Sequence, residues 1–388
     1  MGLRHGAGFW LTVLCLVACT EARVEWSGRV TLIDGVYRVD NPTEPLADAG
    51  AISTTLRWTR SGPDAGDIWE APNKLHVFRD RIYVVDRRAS KIHLLTTDGA
   101  SQPSLGEPGA GPGQYRRIAD AIPTPVGLFV VDQGNSRIEV LTASGEPLAS
   151  HHLGQAAFAA APLGPNAIVV FGVLGREQGW TKIDADGNRE PLEFPDFEPP
   201  DGHDGSISAA STWGERLVRL RQTSPQIRVY STAGSLETVI DLPLPVEETS
   251  DEEIEDIVRD VSSVLARDGV PAGVIQQQVD RIRSRPRAKR RFRKIVFDDD
   301  GGLGAIWEQD PEGLGSGNAS LHLFSIDGIY LTAIRFDRPW ADFAVSDGVL
   351  YVLARDPDTD LVTLMAFELN VPPELLERAR QVARASHP

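Results

Sequence analysis

Cysteine is nearly absent from this chain: of 388 residues only Cys15 and Cys19 are cysteines, and methionine is as scarce. Long hydrophobic runs are missing too, with one exception. Gly6 to Ala18 is almost wholly apolar and uncharged, and Arg4 and His5 precede it. That run is shorter than the ~20 apolar residues a spanning helix needs. Glu21, Arg23 and Glu25 follow at once, so it reads as a secretory signal with no stop-transfer segment behind it. Cys15 leaves with the signal, and a chain that keeps only Cys19 forms no intrachain disulfide. Positive charge is also in deficit. The formal net charge is -16, and losing Arg4 makes it one unit more negative. Such an acidic balance argues against nucleic acid as a partner. Stability must come from a packed core, and the remaining chain is long enough to bury one.

The leader ends in Leu16-Val17-Ala18-Cys19. This resembles the lipobox of bacterial lipoproteins, in which cleavage precedes the cysteine. The resemblance implies residues 1–18 as signal peptide, a diacylglyceryl thioether on Cys19 and an acylated new N-terminus. Two or more acyl chains hold stably where one holds marginally. The expected location is the cell envelope, lipid-anchored. Thr20 stands where an aspartate would retain the protein in the inner membrane of a diderm cell, which favours the outer membrane there.

Self-similarity is the strongest positive signal. Tyr83-Val84-Val85-Asp86, Lys91 to Leu95 and Asp98-Gly99 recur at an offset of 46 residues as Phe129-Val130-Val131-Asp132, Arg137 to Leu141 and Ser144-Gly145. Weaker copies end at Gly187, Gly234 and Gly328. Short apolar runs closed by Asp-Gly or Ser-Gly turns are the pattern of antiparallel strands joined by hairpins. A unit of ~40–50 residues with four strands is one propeller blade. Blades are expected over about 73–105, 116–153, 158–194, 206–242 and 291–336, with a sixth from Ala341. That last blade has three strands of its own, and Thr54 to Trp58 can supply the fourth and close the ring. A β-sandwich or two smaller β domains are the competing architectures. The propeller, spanning 54–372 after an anchor or linker segment over 19–53, accounts better for the shared register of the first two blades.

Gly109-Ala110-Gly111-Pro112-Gly113-Gln114-Tyr115, a strand ending in Val131-Asp132, and Gly134-Asn135-Ser136-Arg137-Ile138 together resemble an NHL repeat. Blade 1 keeps Asp86 and Lys91-Ile92 but has Arg87-Arg88-Ala89-Ser90 where glycine and asparagine are expected. Over roughly residues 25–370 the chain is similar to the six-bladed, NHL-like propeller lipoproteins of bacteria. Asp86, Asp132, Asn135 and Arg137 are expected to join strands through side-chain hydrogen bonds rather than to catalyse.

Residues 247–290 break the strand pattern. Ser250 to Glu253 forms a capping box, Ile254, Ile257, Val258, Val261 and Leu265 mark an apolar helix face, and Pro271 can open a second helix. The charge is divided: eight acids and one arginine lie from Glu247 to Asp260, and nine basic residues with no acid from Arg281 to Lys294. These faces either pair with each other or with the acidic propeller and are otherwise solvated, or they present Arg287, Lys289, Arg290, Arg291 and Arg293 to anionic headgroups or an acidic partner. Pro373 to Ala385 has the spacing of a short amphipathic helix, within a tail over 373–388.

Catalytic signals are sparse. No G-x-S-x-G is present. His76, His93, His151, His152, His203, His322 and His387 offer no i, i+4 zinc pair. Asp298-Asp299-Asp300-Gly301-Gly302 lacks the spaced ligands and late glutamate of a calcium loop and reads as a β-turn. Candidate metal ligands are Asp120, on the inner strand of blade 2, and Asp201, His203 and Asp204 before blade 4. The expectation is a monomeric, non-enzymatic envelope propeller that recognises a protein, peptide or glycan, with no cofactor. The alternative is an enzyme of the propeller lactonase or lyase type, with a divalent metal at the central channel.

Overall fold

In the computed structural model the described residues run from 26 to 385, apart from 49, 63–68, 154–156, 175–176, 194–208, 214–215, 221–224, 246–247, 268–269, 285–291, 299, 310–318, 338–339, 357–358 and 360. Six antiparallel units of four strands form the blades. Blade 1 holds Pro72–Phe78, Arg81–Asp86, Lys91–Thr96 and Ser101–Leu105; blade 2 holds Ile118–Thr124, Gly127–Asp132, Arg137–Leu141 and Pro147–His152. Blade 3 spans Ala157 to Leu192, blade 4 Ala209 to Asp241, and blade 5 Phe292 to Phe336. Blade 6 consists of Trp340–Ser346, Val349–Arg355 and Val362–Asn370, with Ser53–Ser61 paired antiparallel to the last of them. Each innermost strand neighbours those of the adjacent blades, so the ring closes. The N-terminal closing strand and the six-bladed architecture are therefore as the repeat implies. Closure leaves no blade face open to edge pairing around the ring.

The alternation of side chains along a strand explains the continuous apolar runs. Ile82 and Val84 pack toward blade 6, against Tyr351 and Leu364. Their neighbours Tyr83 and Val85 pack toward blade 2, against Ile118 and Val130. A strand buried on both faces has no polar side to show in its sequence. The core thus lies between blades. The repeat glycines Gly99, Gly145, Gly187, Gly234 and Gly328 all have φ between +83° and +91°, which an L side chain rarely adopts.

The N-terminal part of the chain wraps the outside. Arg29–Ile33 and Val36–Asp40 form a hairpin whose second strand pairs parallel to Leu236–Asp241, so blade 4 becomes six-stranded. The chain then crosses blade 5. Asn41 Nδ2 donates to the Asp241 and Gly328 carbonyls at 3.1 and 2.9 Å, and Asn41 Oδ1 accepts from Tyr330 N at 2.7 Å. Leu46 N and Ala47 N donate to the Tyr330 and Leu331 carbonyls. The strap ends in the closing strand of blade 6. This hairpin and strap occupy the segment that the sequence offers only as an anchor or linker.

Helix α1 (Asp251–Arg267) and helix α2 (Ala272–Arg283) pack on each other, and Val258 and Val279 are the buried residues of each. Ser250 Oγ accepts from Glu253 N at 3.2 Å while Glu253 Oε2 accepts from Ser250 N at 2.7 Å, the reciprocal capping box. Helix α3 (Pro373–Ala385) buries Leu375, Ala379 and Ala383 in the cluster shared by blades 4, 5 and 6. Among the described residues no helix is long and apolar enough to cross a membrane.

Candidate functional site

The innermost strands share a defect. In blades 1, 2, 3, 5 and 6 the register slips one residue after the start of the strand, between Pro72 and Lys74, Ile118 and Asp120, Ala157 and Ala159, Phe292 and Lys294, and Trp340 and Asp342. Such a bulge re-aims the side chain that follows it. Lys74, Asp120, Ala159, Lys294 and Asp342 therefore hold one equivalent position in five blades. In ring order, blades 5, 6, 1 and 2 carry Lys294, Asp342, Lys74 and Asp120, an arc of alternating charge at a single level.

The arc is tied across blades. Lys294 Nζ lies 2.9 Å from Asp342 Oδ2 and donates to the Leu75 carbonyl at 3.0 Å. Asp342 Oδ2 also accepts from Leu75 N at 2.8 Å, so blades 5, 6 and 1 meet at one carboxylate. One turn of the strand pleat further along blade 1, His76 Nε2 is 2.7 Å from Asp120 Oδ1 of blade 2. Burial works to raise the Asp120 carboxyl, but His76, Lys74 and Lys294 outweigh it and pull the group down to about 2. Burial likewise opposes the charge on Lys74, yet Asp120 and Asp342 raise its pKa and hold it charged. Asp120, a metal-ligand candidate in the sequence, is here paired with His76 beside Lys74. Lys74, His76, Lys294 and Asp342 complete the cluster, and no sequence motif marks them.

The NHL-like residues build a different structure, at the rim between blades. Asp132 Oδ1 accepts weakly from Arg116, Arg117 and Asn135 backbone amides at 3.3 Å, and its Oδ2 accepts from Asn135 Nδ2 at 2.5 Å. Asn135 Nδ2 also donates to the Gly109 carbonyl at 3.0 Å. Arg137 Nη2 donates to the Gly111 and Gln114 carbonyls at 2.7 and 2.6 Å, and Glu139 accepts from Gly113 N at 3.1 Å. The glycine-rich loop is thus held by its own repeat. Gly109 takes φ +158° with Gln114 against it, so a Cβ there has no room.

Asp86 does the same work in blade 1, accepting from Glu70, Ala71, Arg88 and Ala89 amides at 2.6 to 3.1 Å. Burial raises its pKa, but His93 and these amides outweigh burial and lower it. Blade 5 keeps the arrangement with other residue types. Glu308 occupies the register position of Asp86 and His322 that of His93, with Nε2 to Oε2 at 2.6 Å. His93 and His322 are therefore buried partners of carboxylates. On the outer strand of blade 2, His151 Nε2 reaches the Ala185 carbonyl at 3.0 Å, and His152 is exposed.

Asp201, His203 and Asp204 lie outside the described residues, as do Cys19, Arg287, Lys289, Arg290 and Arg291. Arg293 stands in the inner strand of blade 5, where burial lowers its pKa. Lys294 belongs to the charged arc. Neither is part of a solvated basic patch. Asp298 accepts from Gly301 N at 3.1 Å and from Gly348 N at 3.0 Å, a turn that links blades 5 and 6. Among the described residues no three His, Cys, Asp or Glu side chains converge as a metal site requires.

No family model matches the chain, and no curated protein matches it in sequence. Solved structures share its fold. A member of the DUF4221 family from Bacteroides vulgatus aligns with a TM-score of 0.55 at 10% identity, over 82% of this chain and 98% of that one. A protein from Bacteroides fragilis described as exported aligns with a TM-score of 0.52 at 8% identity, over 82% and 95%. A virginiamycin B lyase from Staphylococcus aureus is more distant, with a TM-score of 0.42 at 12% identity, over 87% and 94%. At these identities the likeness is one of fold alone, and a propeller fold hosts many functions.

Proposed function

We propose that this protein is an exported, lipid-anchored propeller that binds an envelope partner and has no catalytic centre. The observation that carries this reading is the neutralised channel arc. Asp342 is engaged by Lys294 and the Leu75 amide, and Asp120 by His76 with Lys74 nearby. A divalent cation there would have to displace Lys294 from Asp342 and His76 from Asp120, against the charge of two lysines. Among the described residues the arc therefore does not fit the metal that a lactonase- or lyase-type enzyme would need.

Recognition falls to the surface. The helical hairpin α1–α2 leaves Ile257, Val264 and Val274 exposed, and Arg287, Lys289 and Arg290 follow it in sequence. The three exposed aliphatics give the insert an apolar surface suited to a protein partner, and the basic run that follows in sequence suits an acidic one. The lipobox-like Leu16 to Cys19 supports export and anchoring.

The test compares the full mature chain with a variant in which a short linker replaces residues 250–284, both in detergent extracts of the native envelope. A discrete partner should be retained by the full chain and lost from the variant, while both melt at the same temperature. Identical retained sets, or none, would remove the insert from the proposal.

A further inference from the structure

We infer that Arg87, Arg88, Arg116 and Arg117 form a recognition patch, at one end of the ring between blades 1 and 2, for a short acidic segment of a partner protein. This rests on the binding reading above and names the chemistry of what is bound. It depends neither on the anchor nor on the helical insert.

The fold brings the four arginines together. Arg87 and Arg88 follow the second strand of blade 1, in the turn after Asp86, and Arg116 and Arg117 lead into the innermost strand of blade 2 at Ile118. Asp86 pairs with Pro72 and Ile118 with Asp132, so both arginine pairs stand at the end of the ring where the innermost strands begin. All four are exposed. Arg88 Nε lies 3.5 Å from Glu70 Oε2, with 77% and 46% of the two side chains exposed, and such surface pairs hold weakly. Among the described residues no side-chain ion pair engages Arg87, Arg116 or Arg117. Partial burial and then the Arg117 charge lower the Arg87 pKa, so these two guanidiniums sit within each other's field.

The fold does not require arginine at these positions. Blades 1 and 2 make the same turn after the second strand, with Ser90 at φ +54° and Ser136 at φ +52°. Blade 2 makes it with Gln133 and Gly134 where blade 1 has Arg87 and Arg88. In the lead-in, Glu70 and Ala71 of blade 1 donate their amides to Asp86 as Arg116 and Arg117 donate theirs to Asp132. Each arginine pair thus fills positions that the neighbouring blade fills without arginine, and does so against like-charge repulsion. The result is a concentration of positive charge on a molecule whose formal net charge is -16.

The patch is also held in place before anything binds. Arg88 N donates to Asp86 Oδ1 at 3.1 Å, Arg116 N and Arg117 N donate to Asp132 Oδ1 at 3.3 Å, and the Arg117 carbonyl accepts from Gln133 N at 2.9 Å. Binding therefore has only side chains left to order. Guanidinium forks match carboxylates in bidentate pairs. The surrounding charge limits the size of the occupant. Screening confines the field of the patch to about 8 Å at physiological salt, and a short acidic segment fits within that reach. A broad anionic surface would also meet the acidic remainder of the molecule and be repelled by it.

The test uses the full mature chain and a fluorescein-labelled hexaglutamate peptide, followed by fluorescence anisotropy, with hexaglutamine as the neutral control. Hexaglutamate should bind saturably and hexaglutamine should not. Arg87→Gln combined with Arg117→Gln should weaken the affinity by about tenfold or more, as loss of charge-assisted contacts predicts. Its melting temperature should not change, because both side chains are exposed and the backbone bonds remain. Arg287→Gln combined with Lys289→Gln removes the same charge from the basic run that follows the helices, and should leave the affinity within about twofold. Equal weakening by the two double variants, weakening by the second alone, or no binding of hexaglutamate would overturn the inference. Phosphatidylglycerol vesicles that bind through Arg87 and Arg117 where hexaglutamate does not would overturn it too, in favour of a lipid surface. If the peptide fails but the Arg87→Gln, Arg117→Gln variant still retains a partner from envelope extracts, this inference falls and the binding reading stands. If neither peptide nor partner is retained by the wild type, both fall.

Discussion

Asp120 concentrates the electrostatics of the channel. Its carboxyl is pulled down to about 2 in the folded protein, against an ordinary value near 4. Between those two values the unfolded chain takes up a proton that the folded one refuses. Stability from this group is therefore full above about pH 4 and is lost as the pH falls toward about 2. Asp120→Asn should remove that part of the acid sensitivity. In denaturant titrations the wild type should lose on the order of 2 kcal/mol more than the variant between pH 5 and pH 2. Equal losses would contradict the assigned pairing with His76 and Lys74. Asp86 offers a second check without pH. Four backbone amides end on it, and Asp86→Ala removes the acceptor of one buried and three part-buried donors. The expected cost is roughly 3 kcal/mol of unfolding free energy, and a change under about 1 kcal/mol would show that water replaces the carboxylate. Single residues were unevenly legible in the sequence. Asp86, Asp132, Asn135 and Arg137 stood in a repeating motif. Lys74, Lys294 and Asp342 did not, because the bulge that aligns them with Asp120 is a feature of strand pairing. Their trace in the sequence is a charged residue immediately before the apolar stretch of each inner strand, in Lys74-Leu75, Lys294-Ile295 and Asp342-Phe343.

Strands, turns and the helical insert followed the local pattern closely. Tyr83 to Asp86 and Phe129 to Asp132 gave both the strand and its period, since a blade's second strand is buried on each face. Helix α3 begins at Pro373 and ends at Ala385, where the apolar spacing placed it. The hairpin at Arg29–Asp40 and the strap across blade 5 were not legible. Their strands are short and interspersed with charge, and the strap makes its bonds to Tyr330 and Leu331, nearly 300 residues away, which no local period records. The two N-terminal elements should also differ in weight. A chain starting at Asn41 loses only the hairpin and should still unfold in one cooperative transition. A chain starting at Gly62 loses the closing strand of blade 6 and exposes the inner core beside Leu364 and Tyr351. It should aggregate or unfold without a cooperative transition, as followed by circular dichroism on heating. A cooperative transition in the shorter chain would show that ring closure does not depend on Ser53–Ser61.

At the scale of the whole molecule the protein combines a closed ring, an external strap across blade 5, and a helical hairpin inserted between blades 4 and 5. Acylation at Cys19 and folding of the ring should be separable. Cys19→Ala should move the protein from the membrane fraction to the soluble envelope fraction while leaving its melting temperature unchanged; retention in the membrane fraction would point to another attachment. In the ring, Lys294 and His76 already engage the inner-strand carboxylates Asp342 and Asp120, which opposes metal binding there. Elemental analysis of the mature protein, purified and dialysed without added metal, addresses that claim most directly. The expected result is well under one divalent ion per chain, and the same value for Asp120→Asn. About one calcium or zinc per chain, lost in Asp120→Asn, would contradict it and return the molecule to the metal-dependent propeller enzymes.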